Sequence, residues 1–258
     1  LKLFTADFPA VLPLNYQYPL SAVIYKILQR ADQEYAYFLH ETGYRQNTNS
    51  LKSFKLFTFS DIKTPFKIQG DRMRMLTPEA ELTVSFHLPQ AAEVFIKGLF
   101  LNQEVEIADR KSRVRFRINQ VESLPLGLTK ESPQEIVLRP LSPIISSKPN
   151  ERGMYDYIAP EHPDFIPQLM YNWQSKCKTL YEDSDTAFAE AGMEVLCYKN
   201  PPKSRLLTIK ADTPEETKIK GYMNFQLKVK GRLEALELLM NSGVGVYNSQ
   251  GCGCVTCV

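Results

Sequence analysis

The chain has 258 residues, enough for one large domain or two of ordinary size. It has 43% hydrophobic and 23% charged residues, so it can form real cores and is not disordered throughout. The 31 Lys and Arg and the 29 Asp and Glu leave a formal net charge of +2. This balance excludes a histone-like polycation, so any nucleic-acid binding must use local basic faces.

Several features bear on where the protein resides. No stretch approaches the ~18 consecutive apolar residues of a membrane span, so no contact with a membrane is expected. Residues 1–14 lack the basic start and apolar block of a signal peptide. There are five cysteines, an odd number, which suits a reducing compartment better than a disulfide framework. The sequence therefore predicts a cytoplasmic protein.

Four helices follow from the spacing of apolar residues. In residues 20–31, 92–100 and 165–180 these residues recur every three or four positions, as on one buried helical face. Asp164 stands where it could cap the third helix. The fourth helix, 232–241, is bounded by Gly231 and Gly243.

Alternating apolar and polar residues predict strands between the helices. The pattern covers 81–87, 113–118 and 219–230, and shorter strands are expected at 54–59, 135–138, 193–198 and 206–210. In 113–118 the alternation is strict, with Arg113, Arg115 and Arg117 on one face. A turn at 200–203 would join the last two short strands.

The order strand, helix, two strands, helix, strand therefore occurs twice. Two tandem ferredoxin-like (βαββαβ) domains of the α+β class are expected, each a sheet covered on one face by two helices. Pro125, Gly127 and Pro133 interrupt the pattern, so the domain boundary is predicted between domains 1–124 and 125–258. Residues 44–53 and 146–163 are predicted to be irregular insertions.

The C-terminal segment is the most distinctive part of the sequence. Gly243, Gly245, Gly251 and Gly253 fall within eleven residues. Because glycine has no Cβ, such a segment can bring backbone N–H groups close to phosphates. The alternative is a bulged terminal hairpin without a ligand. The segment is neither a P-loop nor a dinucleotide-binding fingerprint.

These glycines, with Ser249 and Val255, form a GxGxxxSxGxGxV motif that resembles the RAMP superfamily of CRISPR-associated proteins. The N-terminal blocks 15–20 (NYQYPL), 24–25 (IY), 38–41 (FLHE) and 55–60 (KLFTFS) resemble, in order, the CRISPR repeat-processing endoribonucleases of the Cas6 family. The resemblance implies an RRM-like double fold and cleavage of CRISPR precursor RNA within its repeats. It further implies 2′,3′-cyclic phosphate and 5′-hydroxyl ends, and no metal or other cofactor.

The family cleaves RNA with a histidine that commonly has a tyrosine and a lysine nearby. Carried over by position, these catalytic residues are His40, Tyr25 and Lys55. Attack by a 2′-hydroxyl needs a proton acceptor, a proton donor and a positive group beside the developing charge, which these residue types can supply. Without the resemblance, His40 would be a surface or capping residue and Tyr25 a helix-edge residue. Lys52 is the alternative to Lys55 as the active-site lysine, because the 44–53 insertion lengthens the loop before Lys55.

RNA contact is predicted for the basic strand faces and the glycine-rich segment. Arg113, Arg115 and Arg117 could bind phosphates, with Lys228 and Lys230 as a weaker pair; the alternative is an ordinary solvated face. The predicted RNA-binding residues of the segment are Gly243, Gly245, Ser249, Gly251 and Gly253. Val246 stands where relatives often have a charge, so Tyr247 could stack instead.

The spacing of Cys252, Cys254 and Cys257 offers three thiols where a structural zinc site wants four, so packed thiols and no metal are expected. CRISPR repeat RNA is the predicted partner, with other CRISPR effector-complex subunits and a homodimer as further possibilities. The alternative function is a non-cleaving RAMP-type RNA-binding subunit of an effector complex. An acylphosphatase-like enzyme is disfavoured, since no arginine-bearing phosphate loop follows the first strand.

Overall fold

The computed structural model describes residues 1–258 except 48, 49, 51, 197–200 and 212. Its elements up to residue 120 are β1 (Lys2–Phe4), β2 (Val11–Pro13), α1 (Gln17–Ala31), α2 (Gln33–Tyr37), a π-helical turn (Phe38–Thr42), β3 (Phe57–Phe59), β4 (Phe66–Gln69), β5 (Arg72–Met75), β6 (Glu79–Glu81), β7 (Val84–Phe86), α3 (Pro89–Leu101), β8 (Glu104–Ala108) and β9 (Arg113–Gln120).

The elements after residue 133 are β10 (Gln134–Pro140), β11 (Ser146–Pro149), β12 (Tyr155–Ile158), α4 (Phe165–Leu180), α5 (Ser184–Phe188), β13 (Gly192–Leu196), β14 (Lys203–Ile209), β15 (Thr217–Met223), β16 (Gln226–Gly231), α6 (Leu233–Ser242), a 3₁₀ turn (Asn248–Gln250) and β17 (Val255–Cys257). No helix among the described residues is both long and apolar enough to cross a bilayer.

The N-terminal sheet has the strand order β6-β1-β9-β8, and all its pairs are antiparallel. β7 continues the path of β6 and pairs with β3. The strands β3, β6–β7, β1 and β9 therefore follow the ferredoxin-like order, with β8 added at the edge. The apolar faces of α1 and α3 pack on this sheet. The two helices approach closely because Gly98 lies against α1: a Cβ there would be 2.0 Å from the Ile27 carbonyl oxygen.

The C-terminal sheet has the order β13-β16-β10-β17, again antiparallel. This is the ferredoxin-like order, with the β14–β15 hairpin inserted between the second and third strands. Trp173 of α4 is fully buried in the second core, and its indole N–H donates to the Ala235 carbonyl at 2.9 Å. The predicted fold, two tandem ferredoxin-like domains, is confirmed.

Some local predictions differ from the structure. The alternation over 219–230 reads as one strand, but Asn224 is left-handed (φ 64°) and separates β15 from β16. Asp164 does not cap α4 with its side chain; it pairs instead with the Lys148 ammonium. The predicted strand 193–198, the turn 200–203 and the insertion 44–53 lie partly outside the described residues.

A buried polar cluster joins the two halves. Asp61 follows β3 and accepts hydrogen bonds from Tyr16 and Gln17, both at 3.1 Å. Its other carboxylate oxygen accepts from Arg205 of β14 at 2.6 Å. Through these hydrogen bonds Asp61 links the β14–β15 hairpin to the start of α1.

Candidate active site

Tyr25 lies at the edge of the buried face of α1. The apolar stripe of this helix faces the core, so the next position along the helix presents Tyr25 half-buried at the surface. Its ring meets the His40 ring edge-on, with centroids 4.9 Å apart. On the other side it contacts the Phe57 ring at 5.6 Å.

His40 is presented by the π-helical turn that follows α2. Asp32 starts α2 as an N-cap, since its side chain accepts from the Tyr35 N–H at 2.9 Å. The turn ends at Gly43, whose φ of 63° favours glycine. The His40 ring is exposed, and its Nδ1 donates to Oε1 of Glu41 at 2.7 Å. With Nδ1 paired in this way, Nε2 is the ring nitrogen that remains for the chemistry.

Lys55 reaches the same place from the segment before β3. A bridge between Tyr44 and Phe54 and the left-handed Leu56 (φ 55°) shape this segment. The Lys55 ammonium donates to the His40 carbonyl at 2.6 Å. Burial lowers the pKa of Lys55. The structure thus brings Tyr25, His40 and Lys55 together.

Lys52 takes a different direction. Its ammonium donates to the Ser175 hydroxyl at 3.2 Å and lies 4.4 Å from the centre of the Tyr171 ring. Both partners belong to α4 in the C-terminal half. Lys52 therefore contacts the second domain, whereas Lys55 contacts the histidine.

An open pocket of about 780 Å³ adjoins Tyr25 and His40 between α1 and α2. Tyr25 and His40 form one side, and Gln29, Asp32 and Tyr37 contribute to the others. Burial raises the pKa of Tyr25 to about 12, although a hydrogen bond from the Ser249 side chain opposes the rise. The phenol is therefore protonated near neutral pH and can donate a hydrogen bond.

The glycine-rich loop (243–253) packs against protein. A Cβ on Gly251 would lie 2.3 Å from the Phe59 ring, and one on Gly253 would lie 2.0 Å from the Val244 carbonyl oxygen. Gly245 and Gly243 are similarly confined, and all four glycines have positive φ. These positions need glycine for packing within the molecule. Phosphate contact by the loop stays a prediction.

The predicted basic faces carry acidic partners. Arg113 pairs with Glu106 at 3.4 Å and Arg115 with Asp7 at 3.8 Å, while Glu104 lies opposite Arg117 in the sheet register. The exposed face of β9 is therefore of mixed charge.

The second basic pair is similar. Lys228 lies between Glu135 at 3.1 Å and Glu194 at 3.3 Å, and Lys230 pairs with Glu190 at 3.4 Å. Exposed pairs of this kind are weak and can exchange for phosphate. RNA binding by either set stays a prediction.

The C-terminal cysteines are thiols packed in the protein. Cys252 and Cys254 are fully buried, and burial raises their pKa values, that of Cys254 to about 12. Across the described residues, no group of three or more His, Cys, Asp or Glu side chains is placed to hold a metal ion. Nearby, the Tyr247 hydroxyl lies 3.3 Å from that of Tyr157.

Sequence reasoning missed Glu41 and Lys176 as neighbours of the site, and it assigned Ser249 to RNA binding without relating it to Tyr25. Glu41 pairs with His40, Ser249 lies beside Tyr25, and Lys176 is buried behind the glycine-rich loop. Lys176 had a signal: it occupies the apolar stripe of α4 between Trp173 and Leu180, where a lysine needs buried acceptors. Glu41 has no such signal in the local pattern, and the motif that contains Ser249 does not indicate its proximity to Tyr25.

Comparisons with known proteins cover both halves of the chain. Residues 11–122 match the family described as CRISPR-associated protein Cas6, N-terminal. Residues 127–257 match CRISPR associated protein Cas6, C-terminal.

Two curated relatives are named CRISPR-associated endoribonucleases. Cas6 1 of Methanocaldococcus jannaschii is 26% identical over 266 residues, covering 99% of this chain and 90% of the relative. Cas6 of Pyrococcus furiosus is 25% identical over 245 residues, covering 94% and 82%. A solved structure described as a RAMP protein binding different RNA substrates has a TM-score of 0.77 at 19% identity, covering 100% of this chain and 97% of that one. The chain therefore belongs to the Cas6 family of CRISPR-associated endoribonucleases.

Proposed function

We propose that this protein cuts CRISPR precursor RNA within its repeats without a metal ion, using His40, Tyr25 and Lys55. The observation that carries the proposal is their convergence. The Tyr25 and His40 rings are 4.9 Å apart, and the Lys55 ammonium is 2.6 Å from the His40 carbonyl oxygen. Tyr25 and His40 thus line one open pocket, and Lys55 is held against the backbone of His40.

The proposed reaction is an internal transfer at one phosphate. The 2′-oxygen attacks phosphorus, the bond from phosphorus to the 5′-oxygen breaks, and a 2′,3′-cyclic phosphate and a 5′-hydroxyl result. One proton leaves the 2′-hydroxyl and one reaches the 5′-oxygen.

The three side chains divide these tasks. Nε2 of His40 serves in proton transfer, since an imidazole can take either role near neutral pH. Tyr25, with its pKa at about 12, remains a phenol that donates a hydrogen bond to the reacting oxygens. The Lys55 ammonium stabilises the extra negative charge that develops on the phosphate oxygens.

The RNA is proposed to reach this pocket along the predicted basic and glycine-rich surfaces. The candidate contacts remain Arg113, Arg115, Arg117, Lys228 and Lys230, with the glycine-rich loop beside α1. Each arginine or lysine that meets a phosphate must exchange an acidic neighbour for it. Backbone contacts of this kind give affinity without reading sequence.

Incubating the protein with CRISPR repeat RNA in EDTA tests the proposal. We expect cleavage by the wild type, and a loss of about 10²–10⁴-fold in the single-turnover rate for His40→Ala. Repeat binding should be nearly unchanged, because one imidazole adds little to a phosphate-dominated interface.

The matched control is His162→Ala, which removes another exposed histidine that lies outside the site. Near-normal cleavage by His40→Ala would refute the assignment. Tight repeat binding without any cleavage by the wild type would instead support the non-cleaving RNA-binding subunit.

A further inference from the structure

A buried lysine lies behind the glycine-rich loop. Lys176 of α4 is only 1% exposed. Its ammonium donates to the carbonyls of Ser242 at 3.3 Å and Gly243 at 2.5 Å, and to Oδ1 of Asn248 at 2.9 Å. The first two acceptors are at the C-terminal end of α6, where a cation is favourable. The third extends the contact into the loop.

Asn248 closes the loop on itself. Its side-chain N–H₂ donates to the carbonyls of Val244 at 3.3 Å and Cys252 at 3.0 Å. The side-chain amide of Asn248 therefore links the first and last parts of the loop. Gly243 and Gly253 leave room for it, because a Cβ at either position would lie 2.6 or 2.8 Å from Nδ2 of Asn248.

The closed loop docks on the domain that carries the histidine. The Ser21 hydroxyl of α1 donates to the Ser249 carbonyl at 2.7 Å, and the Thr58 hydroxyl donates to the Cys252 carbonyl at 2.9 Å. Ser21 is one helical turn before Tyr25, so it fixes Ser249 beside the tyrosine. From there the Ser249 side chain lowers the pKa of the Tyr25 phenol, against the larger opposite effect of burial.

We infer that Ser249 is a positioning residue that orients the Tyr25 hydroxyl for cleavage, and that Lys176 and Asn248 hold Ser249 in place. The inference rests on the proposed function, since it concerns the same reaction. It assigns to the C-terminal domain a part in the chemistry of a site whose three reactive side chains all belong to the N-terminal domain.

A double-mutant cycle tests the link between Ser249 and Tyr25. Ser249→Ala removes the hydroxyl that lies beside Tyr25, so we expect single-turnover cleavage about 3- to 10-fold slower at saturating protein, where a change in repeat affinity does not contribute. In the Tyr25→Phe background the same change should have no further effect, because the hydroxyl that it positions is gone. A merely structural role would give independent, multiplying losses.

A second pair of variants tests the support behind Ser249. Asn248→Ala should slow cleavage at least as much as Ser249→Ala, and combining the two should add little. Lys176→Met should act in the same way, whereas Lys178→Met, an exposed position on the same helix, should not. Thermal melting first establishes that each variant is folded. If Lys176→Met does not fold, the cleavage rate of Asn248→Ala alone tests whether the loop holds Ser249 in place.

The outcomes separate this inference from the proposed function. Wild-type rates for Ser249→Ala or Asn248→Ala, or multiplying losses with Tyr25→Phe, would overturn the positioning role while His40→Ala still abolished cleavage. Undiminished cleavage by His40→Ala would overturn the proposed function itself.

Discussion

Two lysines separated by three positions in the chain have different partners. Lys55 donates to the His40 carbonyl, and Lys52 donates to Ser175 of α4. The short bridge at Phe54 and the left-handed Leu56 hold the backbone of Lys55 in place. A pre-positioned ammonium stabilises developing charge without a large ordering cost. Lys55 is thus the better placed of the two for the chemical step.

We therefore expect Lys55→Ala to slow single-turnover cleavage by about 10²-fold or more, the scale for loss of one charge-stabilising donor. Lys52→Ala serves as the matched control and should change the rate by less than about 5-fold, since its contacts lie on α4. The rates should be measured with the same repeat RNA at saturating protein. The reverse order would show that Lys52 supplies the active-site cation.

At the scale of single elements, β9 shows how a strand pattern can be correct while its function stays open. Val114, Phe116 and Ile118 are buried and the three arginines are exposed, as the alternation predicts. The acidic neighbours came from β8 and the segment after β1, which the pattern of β9 does not contain.

If each arginine meets one phosphate, replacing Arg113, Arg115 and Arg117 with Gln should reduce the salt slope of log K by about 2 to 3. Cognate and mismatched RNA should weaken by similar factors, because phosphate contacts carry no sequence information. Binding should be measured between low and moderate salt.

The opposite change provides the control. Glu104→Gln with Glu106→Gln removes competing acids from the same face, so it should strengthen RNA binding. An unchanged slope for the arginine variant, with no effect of the glutamates, would identify an ordinary solvated face.

At the scale of the whole molecule, Lys176 should make the free energy of unfolding depend on pH. Burial lowers its pKa to about 7, against 10.5 for an ordinary lysine. Between these values the unfolded chain binds more protons than the folded protein, so the free energy of unfolding increases with pH. Buried thiols reverse the trend near pH 9, because Cys177, Cys252 and Cys254 have raised pKa values in the folded state.

Lys176→Met should therefore remove a pH-dependent gain of about 1 to 2 kcal/mol between pH 7 and 8.5. Chemical denaturation of the wild type and the variant at both pH values measures it. Lys178→Met should keep the wild-type slope. Equal slopes for wild type and Lys176→Met would show that the amine does not titrate in this range.

The sequence by itself determined the four main helices and their order among the strands, but it missed the β11–β12 hairpin within 146–163, which it predicted to be irregular. Apolar spacing located α1, α3, α4 and α6 to within a few residues, because a helix that covers a sheet must bury one face. The order of these elements fixed the double ferredoxin-like fold, since each half allows few ways to cover its sheet. The resemblance of the N-terminal blocks to the Cas6 family also predicted Tyr25, His40 and Lys55 as catalytic residues. The structure shows that these residues are close together.

Only the tertiary structure decided what surrounds those residues. The Ser21–Ser249 hydrogen bond joins positions 228 residues apart, and the Asp61–Arg205 pair joins positions 144 apart. The glycines at 251 and 253 have their neighbours in β3 and in the loop itself, not in a visible motif. Periodicity reports which face of an element is buried, but not what covers it. The contact of Lys52 with α4 and that of Ser249 with α1 were therefore fixed when the two domains packed together, whereas the arginines have their partners within the N-terminal domain.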